Sequence, residues 1–592
     1  MTSVGFIGLG TMGGPMALNI VKGGYKVKGF DIDEKLVENH SKNKGLVAKT
    51  ASEAAIDTDI LFTMLPNSEH VKSALFDENG AIENLKKGSI VIDMSTINPI
   101  ETDGIREKLK EKGIAMIDAP IGRTSVEARI GKSLLMLGGE KNDIENNFVD
   151  FDRERLLFKM SSNEGPCTCV GDFNDDGRED LFVGSAKGQI SSIFFQELNG
   201  SFKSYNSAFE KDILSEDIDC LIDDFNGDGK LDLIVASGGS EYSNFSPELR
   251  DRLYLNIGDK NFKKLSNSLS TISSFESTST ISSYDFDRDG DKDLFLGTRL
   301  NPGAYGTMTR SYLLENNGDG VFKDISEKYL GEARFMGMVT DSEFIDIDND
   351  NTKELVVVGE WMPVKIFKFL QNKLVDITDS LGLSKTNGLY NNMHSEDLDG
   401  DGYTDLVLGN YGLNSMFRAS IEQPLSLYVN DFDNNGRTEQ ILAMHYDEKL
   451  YPIVQLKDLW MQIPSLKKKY LKFENYKNVT MDKLFDPPTI RDSEVKKVYN
   501  LSSVSLYNKR GKGFEIKELP FMAQLSPIFS IISDDINNDG VMDLILGGNL
   551  SRVKPEFGPN SSSYSTLLLG TKDKRFKYVN SKLSGLFISG EI

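Results

Sequence analysis

The chain has 592 residues, with 67 basic and 90 acidic side chains and a formal net charge of −23. That length supports more than one core. The charge excludes nucleic acid and an anionic membrane surface as partners, because both need clustered Lys and Arg. Three cysteines exclude a disulfide-built scaffold, 39% hydrophobic and 27% charged residues exclude a disordered chain, and no apolar run is long enough to span a membrane.

The first stretch, Met1 to Val21, is apolar, but it lacks a basic leader and is interrupted by glycines and a proline. It reads as strand, glycine turn and helix, not as a secretory signal, so the chain as written is expected in the cytoplasm. Residues 1–147 carry a net charge of −3 and residues 148–592 carry −20. The first part alternates short apolar strands with helical stretches, the pattern of a parallel α/β sheet. The second is rich in short strands, Asn, Asp, Gly and Ser, the pattern of an all-β repeat. The expected architecture is multidomain: a Rossmann-type dinucleotide-binding domain over 1–147, then an all-β unit over 148–592.

Val4 to Ile7 is a strand, and Gly8-Leu9-Gly10-Thr11-Met12-Gly13 follows it at once, ahead of a helix from Pro15. Gly8 allows the tight turn, Gly10 the approach of a pyrophosphate, and Gly13 close packing of helix on strand. The helix N-terminus offers its free N–H groups to phosphate. Asp31 lies 18 residues beyond Gly13, at the end of the next strand. A carboxylate there accepts from a ribose 2′-hydroxyl and repels a 2′-phosphate, which favours NAD over NADP.

Further segments follow strands at Thr63-Met64-Leu65-Pro66-Asn67, Asp93-Met94-Ser95-Thr96, Asp118-Ala119-Pro120-Ile121-Gly122-Arg123-Thr124-Ser125 and Leu134 to Gly139. This series resembles the β-hydroxyacid dehydrogenases, which include the 3-hydroxyisobutyrate dehydrogenases. Gly122-Arg123-Thr124-Ser125, where most members carry Ser-Gly-Gly, is similar to the 3-sulfolactaldehyde reductase branch. The resemblance implies that Leu65 and Pro66 line the adenosine side, that Thr96 sits by the nicotinamide ribose, and that Gly122, Arg123 and Thr124 face the substrate. A guanidinium fork at Arg123 suits a sulfonate. Members continue into a long helix with a catalytic lysine that protonates the nascent alkoxide. Here the pattern breaks off at Asn147. Lys159 stands at a plausible distance, but its context matches the second part. The expectation is a cofactor-binding half with no catalytic residue of its own.

From Phe148 onward a nine-residue pattern, D-x-[DN]-x-[DN]-[GN]-x-x-[DE], occurs seven times, each followed by an apolar strand. Its oxygen-bearing positions are Asp172, Asn174, Asp176 and Asp180; Asp224, Asn226, Asp228 and Asp232; Asp285, Asp287, Asp289 and Asp293; Asp346, Asp348, Asp350 and Glu354; Asp397, Asp399, Asp401 and Asp405; Asp431, Asp433, Asn435 and Glu439; and Asp535, Asn537, Asp539 and Asp543. Oxygen donors at positions 1, 3, 5 and 9, with a backbone carbonyl from position 7, suit Ca²⁺. An EF-hand would need a Glu at position 12 and flanking helices, and neither is present. The loops hold 27 acidic and 6 basic residues, so they account for the whole charge of the second part.

A second element recurs between the loops, at Leu253–Ser266, Tyr312–Ser326, Ser505–Leu519 and Thr566–Asn580: strand, Asn/Gly-rich hairpin, Phe, strand. Loop spacings of 52, 61, 61, 51, 34 and 104 residues suggest about seven propeller blades, with a partly helical insertion near 450–499. This part resembles the FG-GAP/VCBS repeat proteins, which share the integrin-α-type propeller. The resemblance implies calcium loops that brace the blades, an unknown protein or glycan ligand, and an extracytoplasmic or cell-surface setting. Cys167 and Cys169, with Cys220 distant in sequence, read as buried thiols. The four histidines do not cluster. The function expected is therefore an NAD-binding fragment joined to a calcium-binding propeller. The alternatives are an active NAD-dependent oxidoreductase with an appended propeller, and an artefactual fusion of two unrelated genes at residues 147 and 148.

Overall fold

A computed structural model describes residues 3–95, 97, 99–119, 121–122, 134–135, 146–198, 200–269, 276–371, 373–586 and 588. The N-terminal region is built on six parallel strands: β1 (Ser3–Ile7), β2 (Lys26–Phe30), β3 (Leu46–Val47), β4 (Ile60–Thr63), β5 (Ile90–Asp93) and β6 (Ala115–Asp118). Their order is β3-β2-β1-β4-β5-β6. Both faces are apolar, as a sheet covered by helices on two sides requires. Leu61, Val91 and Met116 pack on one side; Phe62, Ile92 and Ile117 pack on the other with Val4, Phe6 and Val27. Strand order reverses between β1 and β4, the point at which sheets of this kind form a crevice at the carboxyl ends of their strands. Helix α1 (Gly13–Lys22) leaves that point, and α2 (Glu34–Lys42) follows β2, with Asp33 accepting from the Lys35 N–H as its N-cap.

From Asp150 onward the chain is sewn into an all-β region. Arg153 donates to the carbonyls of Tyr242 and Ser240, and the Glu154 carboxylate accepts from the Tyr305 N–H. Seven antiparallel sheets of four or five strands follow. Each acidic loop joins the first two strands of one sheet, and the Asn/Gly hairpins join the last two strands of theirs. Six sheets run in series, with first strands Thr168–Gly171, Asp217–Asp223, Ser277–Tyr284, Met338–Ile345, Asn392–Glu396 and Ser530–Asp534. Each of these strands packs on the next. Residues within two or three positions of their starts, Pro166, Ile218, Ser279, Thr340, Asn391 and Phe529, line one cavity of about 490 Å³.

The sheet that carries the sixth loop is not in that series. Its strands, Leu425–Asn430, Glu439–Tyr446, Lys449–Pro452 and Glu494–Val498, lie between the second strand (Asp405–Gly409) and the third (Val504–Asn508) of the fifth sheet. Side-chain alternation gives this nested sheet two buried faces. Leu425, Leu427, Val429 and Leu442 pack with Leu300, Tyr305, Trp361 and Tyr411 of the neighbouring sheets. Ile441 and Ala443 pack on the other side against Leu456, Leu459, Leu466 and Leu484 of short helices within 456–491. Among the described residues no helix is long and apolar enough to cross a membrane.

Candidate functional site

The glycine turn closes β1 at the point where the sheet order reverses. Gly8 has φ +96°, and a Cβ there would lie 2.2 Å from the Met64 carbonyl oxygen. A Cβ on Gly13 would lie 1.9 Å from the Gly8 carbonyl oxygen, so only glycine lets α1 start this close to β1. At Gly10 a Cβ would meet nothing within 4 Å. The backbone therefore faces open space where a pyrophosphate needs to approach. No side chain caps the start of α1, where the Gly14 N–H bonds the Gly10 carbonyl at 2.9 Å and the Met16 N–H bonds the Met12 carbonyl at 3.4 Å, so the positive end of the helix is what faces an anion. The Asp31 carboxylate accepts from the Leu9 N–H at 2.6 Å and the Asp33 N–H at 2.9 Å, so it braces the turn from the end of β2.

The floor of the crevice holds a group that the motif does not reveal. Thr63 and Asp93, ending β4 and β5, are both fully buried. The Asp93 carboxylate accepts from the Thr63 hydroxyl at 2.7 Å and the Ser95 N–H at 3.1 Å, while its other oxygen has no hydrogen-bond partner. Burial holds this carboxyl above the usual carboxylate range. The Ser95 hydroxyl in turn accepts from the Leu65 N–H at 2.8 Å, fixing the Leu65–Pro66 segment. Gly122 lies in the short strand Ile121–Gly122, which pairs with Leu134–Leu135. Thr96, Arg123 and Thr124 lie outside the described residues. Lys159 is 4% exposed and bonds Glu360 at 2.5 Å inside the all-β region, where Arg299 also reaches Glu360 at 2.9 Å. It serves that core and not the crevice.

The seven acidic loops share one hydrogen-bond scheme. The position-1 carboxylate accepts from the N–H of position 6 at 2.7–3.1 Å. The position-5 side chain accepts from the N–H of position 7 at 2.8–3.1 Å. The position-9 carboxylate, 0–1% exposed, accepts from the N–H of position 2 at 2.9–3.2 Å. Positions 4 and 6 have positive φ in every loop, which curls the side-chain oxygens inward. In four loops, three carboxylate oxygens converge within 4.8 Å: Asp285, Asp287 and Asp289; Asp346, Asp348 and Glu354; Asp397, Asp399 and Asp405; Asp431, Asp433 and Glu439.

These donors fit a hard cation. Buried oxygens of Asp285, Asp433 and Glu439 have no hydrogen-bond partner, a costly state that an ion relieves. Burial pushes the position-9 carboxyls up, to about 6 at Asp232 and about 7 at Asp293, Asp405 and Glu439. The loop at 346–354 differs. There the Lys368 ammonium bonds Asp348 at 2.5 Å, Asp350 at 2.8 Å and Glu354 at 2.8 Å, where a metal cation would otherwise sit, and in the loop at 397–405 Lys574 bonds Asp399 alone.

Sequence reasoning missed three asparagines on third strands. Asn316 donates its N–H to Asp293 at 2.9 Å, and its amide to the Phe225 and Lys292 carbonyls at 3.0 Å each. It thus clamps the second loop to the third. Asn256 joins Phe173 to Leu231, and Asn508 joins Ile347 to Thr404, in the same way. The only signal was an Asn at the end of LYLN, LLEN and SLYN.

Residues 3–150 match the family described as the NAD binding domain of 6-phosphogluconate dehydrogenase, and residues 224–296 match the FG-GAP-like repeat. A 3-sulfolactaldehyde reductase of Escherichia coli is 42% identical over 146 residues, which are 24% of this chain and 49% of that protein. An NAD-dependent L-serine dehydrogenase of Pseudomonas aeruginosa is 34% identical over 145 residues, with the same shares. Among solved structures, a Mycobacterium tuberculosis 3-hydroxyisobutyrate dehydrogenase with L-serine is 30% identical over 24% of this chain and 47% of that one, with a TM-score of 0.23. The chain thus spans about half the length of the curated relatives it matches. Residues 3–150 are an NAD-binding domain of the 3-hydroxyisobutyrate dehydrogenase type, in a chain that also carries an FG-GAP-like repeat.

Proposed function

We propose that residues 1–147 bind NAD in preference to NADP without completing turnover, and that residues 148–592 form a calcium-braced β-propeller that binds a protein or glycan. The open backbone at Gly10, ahead of an uncapped helix, carries the first reading. Gly8 to Gly13 hold the diphosphate, Asp31 takes the ribose hydroxyls and disfavours a 2′-phosphate, and Leu65, Pro66 and Thr96 line the remainder. Bound NAD supplies a hydride acceptor. Gly122, Arg123 and Thr124 then orient a small sulfonated or carboxylated 3-hydroxy acid. Among the described residues Lys159 cannot take the hydroxyl proton, since it is committed to Glu360.

The convergence of six first strands on one cavity carries the propeller reading, with six blades in series and the nested sheet as an added layer. Partnerless buried oxygens support Ca²⁺ in the loops. Lys368 makes the loop at 346–354 the weakest of the seven for a cation.

Titration calorimetry on the full chain tests both halves. NAD⁺ is expected to give heat at one site, NADP⁺ weaker heat, and Ca²⁺ heat at several sites. No heat with NAD⁺ overturns the first reading, and no heat with Ca²⁺ the second. Reduction of 3-sulfolactaldehyde with NADH, or oxidation of 3-hydroxyisobutyrate with NAD⁺, would show that catalysis is complete after all.

A further inference from the structure

Cys169 lies on the first strand of the first sheet and Cys220 on the first strand of the second. Their sulfurs are 2.7 Å apart, and the Cys169 thiol also points at the Cys220 carbonyl oxygen at 2.7 Å. Unbonded sulfur atoms do not rest so close, whereas a cystine needs only a further approach to about 2.05 Å. The same slot recurs two sheets later. Cys169 stands three residues before its loop's first Asp and Cys220 four before its own; Ser282 and Ser342 stand at those positions for the third and fourth loops. There the two hydroxyls are 2.5 Å apart, and Ser282 donates to the Ser342 carbonyl at 3.1 Å. A hydroxyl pair ties the strands by hydrogen bonding. Thiols are weak donors and acceptors and tie them poorly unless they bond covalently.

We propose that Cys169 and Cys220 form a cystine that joins the first strand of the first sheet to that of the second, with Cys167 left as a thiol. Cys169 is the half-exposed member, whereas Cys167 and Cys220 are each 8% exposed. A small disulfide oxidant therefore reaches Cys169 first. The Cys169 thiolate attacks one sulfur of the oxidant, forms a mixed disulfide and releases one thiolate. The Cys220 sulfur, its proton lost to water, attacks Cys169 and releases the second. Two cysteine thiols are oxidised, one small disulfide is reduced to two thiols, and the two protons pass to them. Cys167 also lies near Cys220, but it is buried where Cys169 is partly exposed, so the oxidant engages Cys169, whose sulfur is the one 2.7 Å from Cys220. The tie closes a loop of roughly 50 residues and stabilises by restricting the unfolded chain.

The test uses the full chain, first reduced and then incubated with oxidised glutathione, alkylated without reduction and digested. The expected result is a peptide pair linked through Cys169 and Cys220, lighter by two hydrogens than the free peptides, with Cys167 alkylated. The thermal midpoint of the oxidised protein should rise by about 3 °C or more. Cys167→Ser should keep both the link and the shift. Alkylation of all three thiols, mixed disulfides alone, or a link through Cys167 would overturn the proposal. None of these outcomes depends on whether the loops hold calcium.

Discussion

The two regions receive charge in opposite ways. In the N-terminal region the candidate site is made of main chain: glycines without side chains, a start of α1 that no side chain caps, and open space at Gly10. Such a surface favours an anion. In the all-β region the site is made of side chains, with carboxylates curled inward by positive φ at positions 4 and 6. That surface favours a cation. One site is single and depends on what was left out; the other is repeated seven times and depends on what was put in. A change in one region should therefore leave the other untouched, and the following experiments break or sharpen that contrast.

The largest effect should come from chelation. Removing Ca²⁺ with EGTA should lower the unfolding midpoint of the all-β region by about 10 °C or more, since each filled site contributes a few kcal/mol. NAD⁺ affinity should not change, and calorimetry in chelator checks this. Next in size is Gly8→Ala. The strain of φ +96° and the clash with Met64 should cost about 3 kcal/mol and remove NAD⁺ binding, while the Ca²⁺-dependent transition stays in place.

The third effect is a pH dependence of the all-β region. Burial pushes the Asp251 carboxyl up to about 7. Its contribution is complete below the ordinary carboxylate range and is lost as pH rises from about 4 to about 7, because the folded state holds the proton longer. Asp251→Asn keeps the acceptor for the Ser237 N–H and should flatten that decline by about 2 kcal/mol, read by urea unfolding at the two ends of the window. The smallest effect is Asn316→Ala. Loss of its two amide bonds should cost about 1–3 kcal/mol and weaken Ca²⁺ binding at the second and third loops alone.

Much of this was legible in the residues because it follows from local chemistry. The turn at Gly8–Gly13 dictates its own backbone, and the seven loops carry every oxygen they use within nine residues. What was not legible depends on residues distant in the chain. Asn316 looks like a strand end until its amide is seen to bridge two loops, reaching the Phe225 carbonyl 91 residues before it. Asp93 reads as a strand-terminal polar residue, yet it is fully buried with one oxygen unpartnered. The spacings of 34 and 104 residues mark an interruption, but no spacing tells which strand pairs across it. The sixth loop was indistinguishable from the other six, although its sheet is nested inside another.

That nesting has a consequence for the order in which the protein assembles. The fifth sheet needs Leu406 beside Leu506, across about a hundred residues of chain. The nested sheet pairs its own first and last strands, Leu425 with Val498, which draws the two ends of the interruption together. Once it has formed, the effective gap is the 15 residues of 410–424 and the 5 of 499–503. On the ribosome the half-made fifth sheet should therefore wait, its second strand exposed, until the nested sheet closes and delivers the third strand to it.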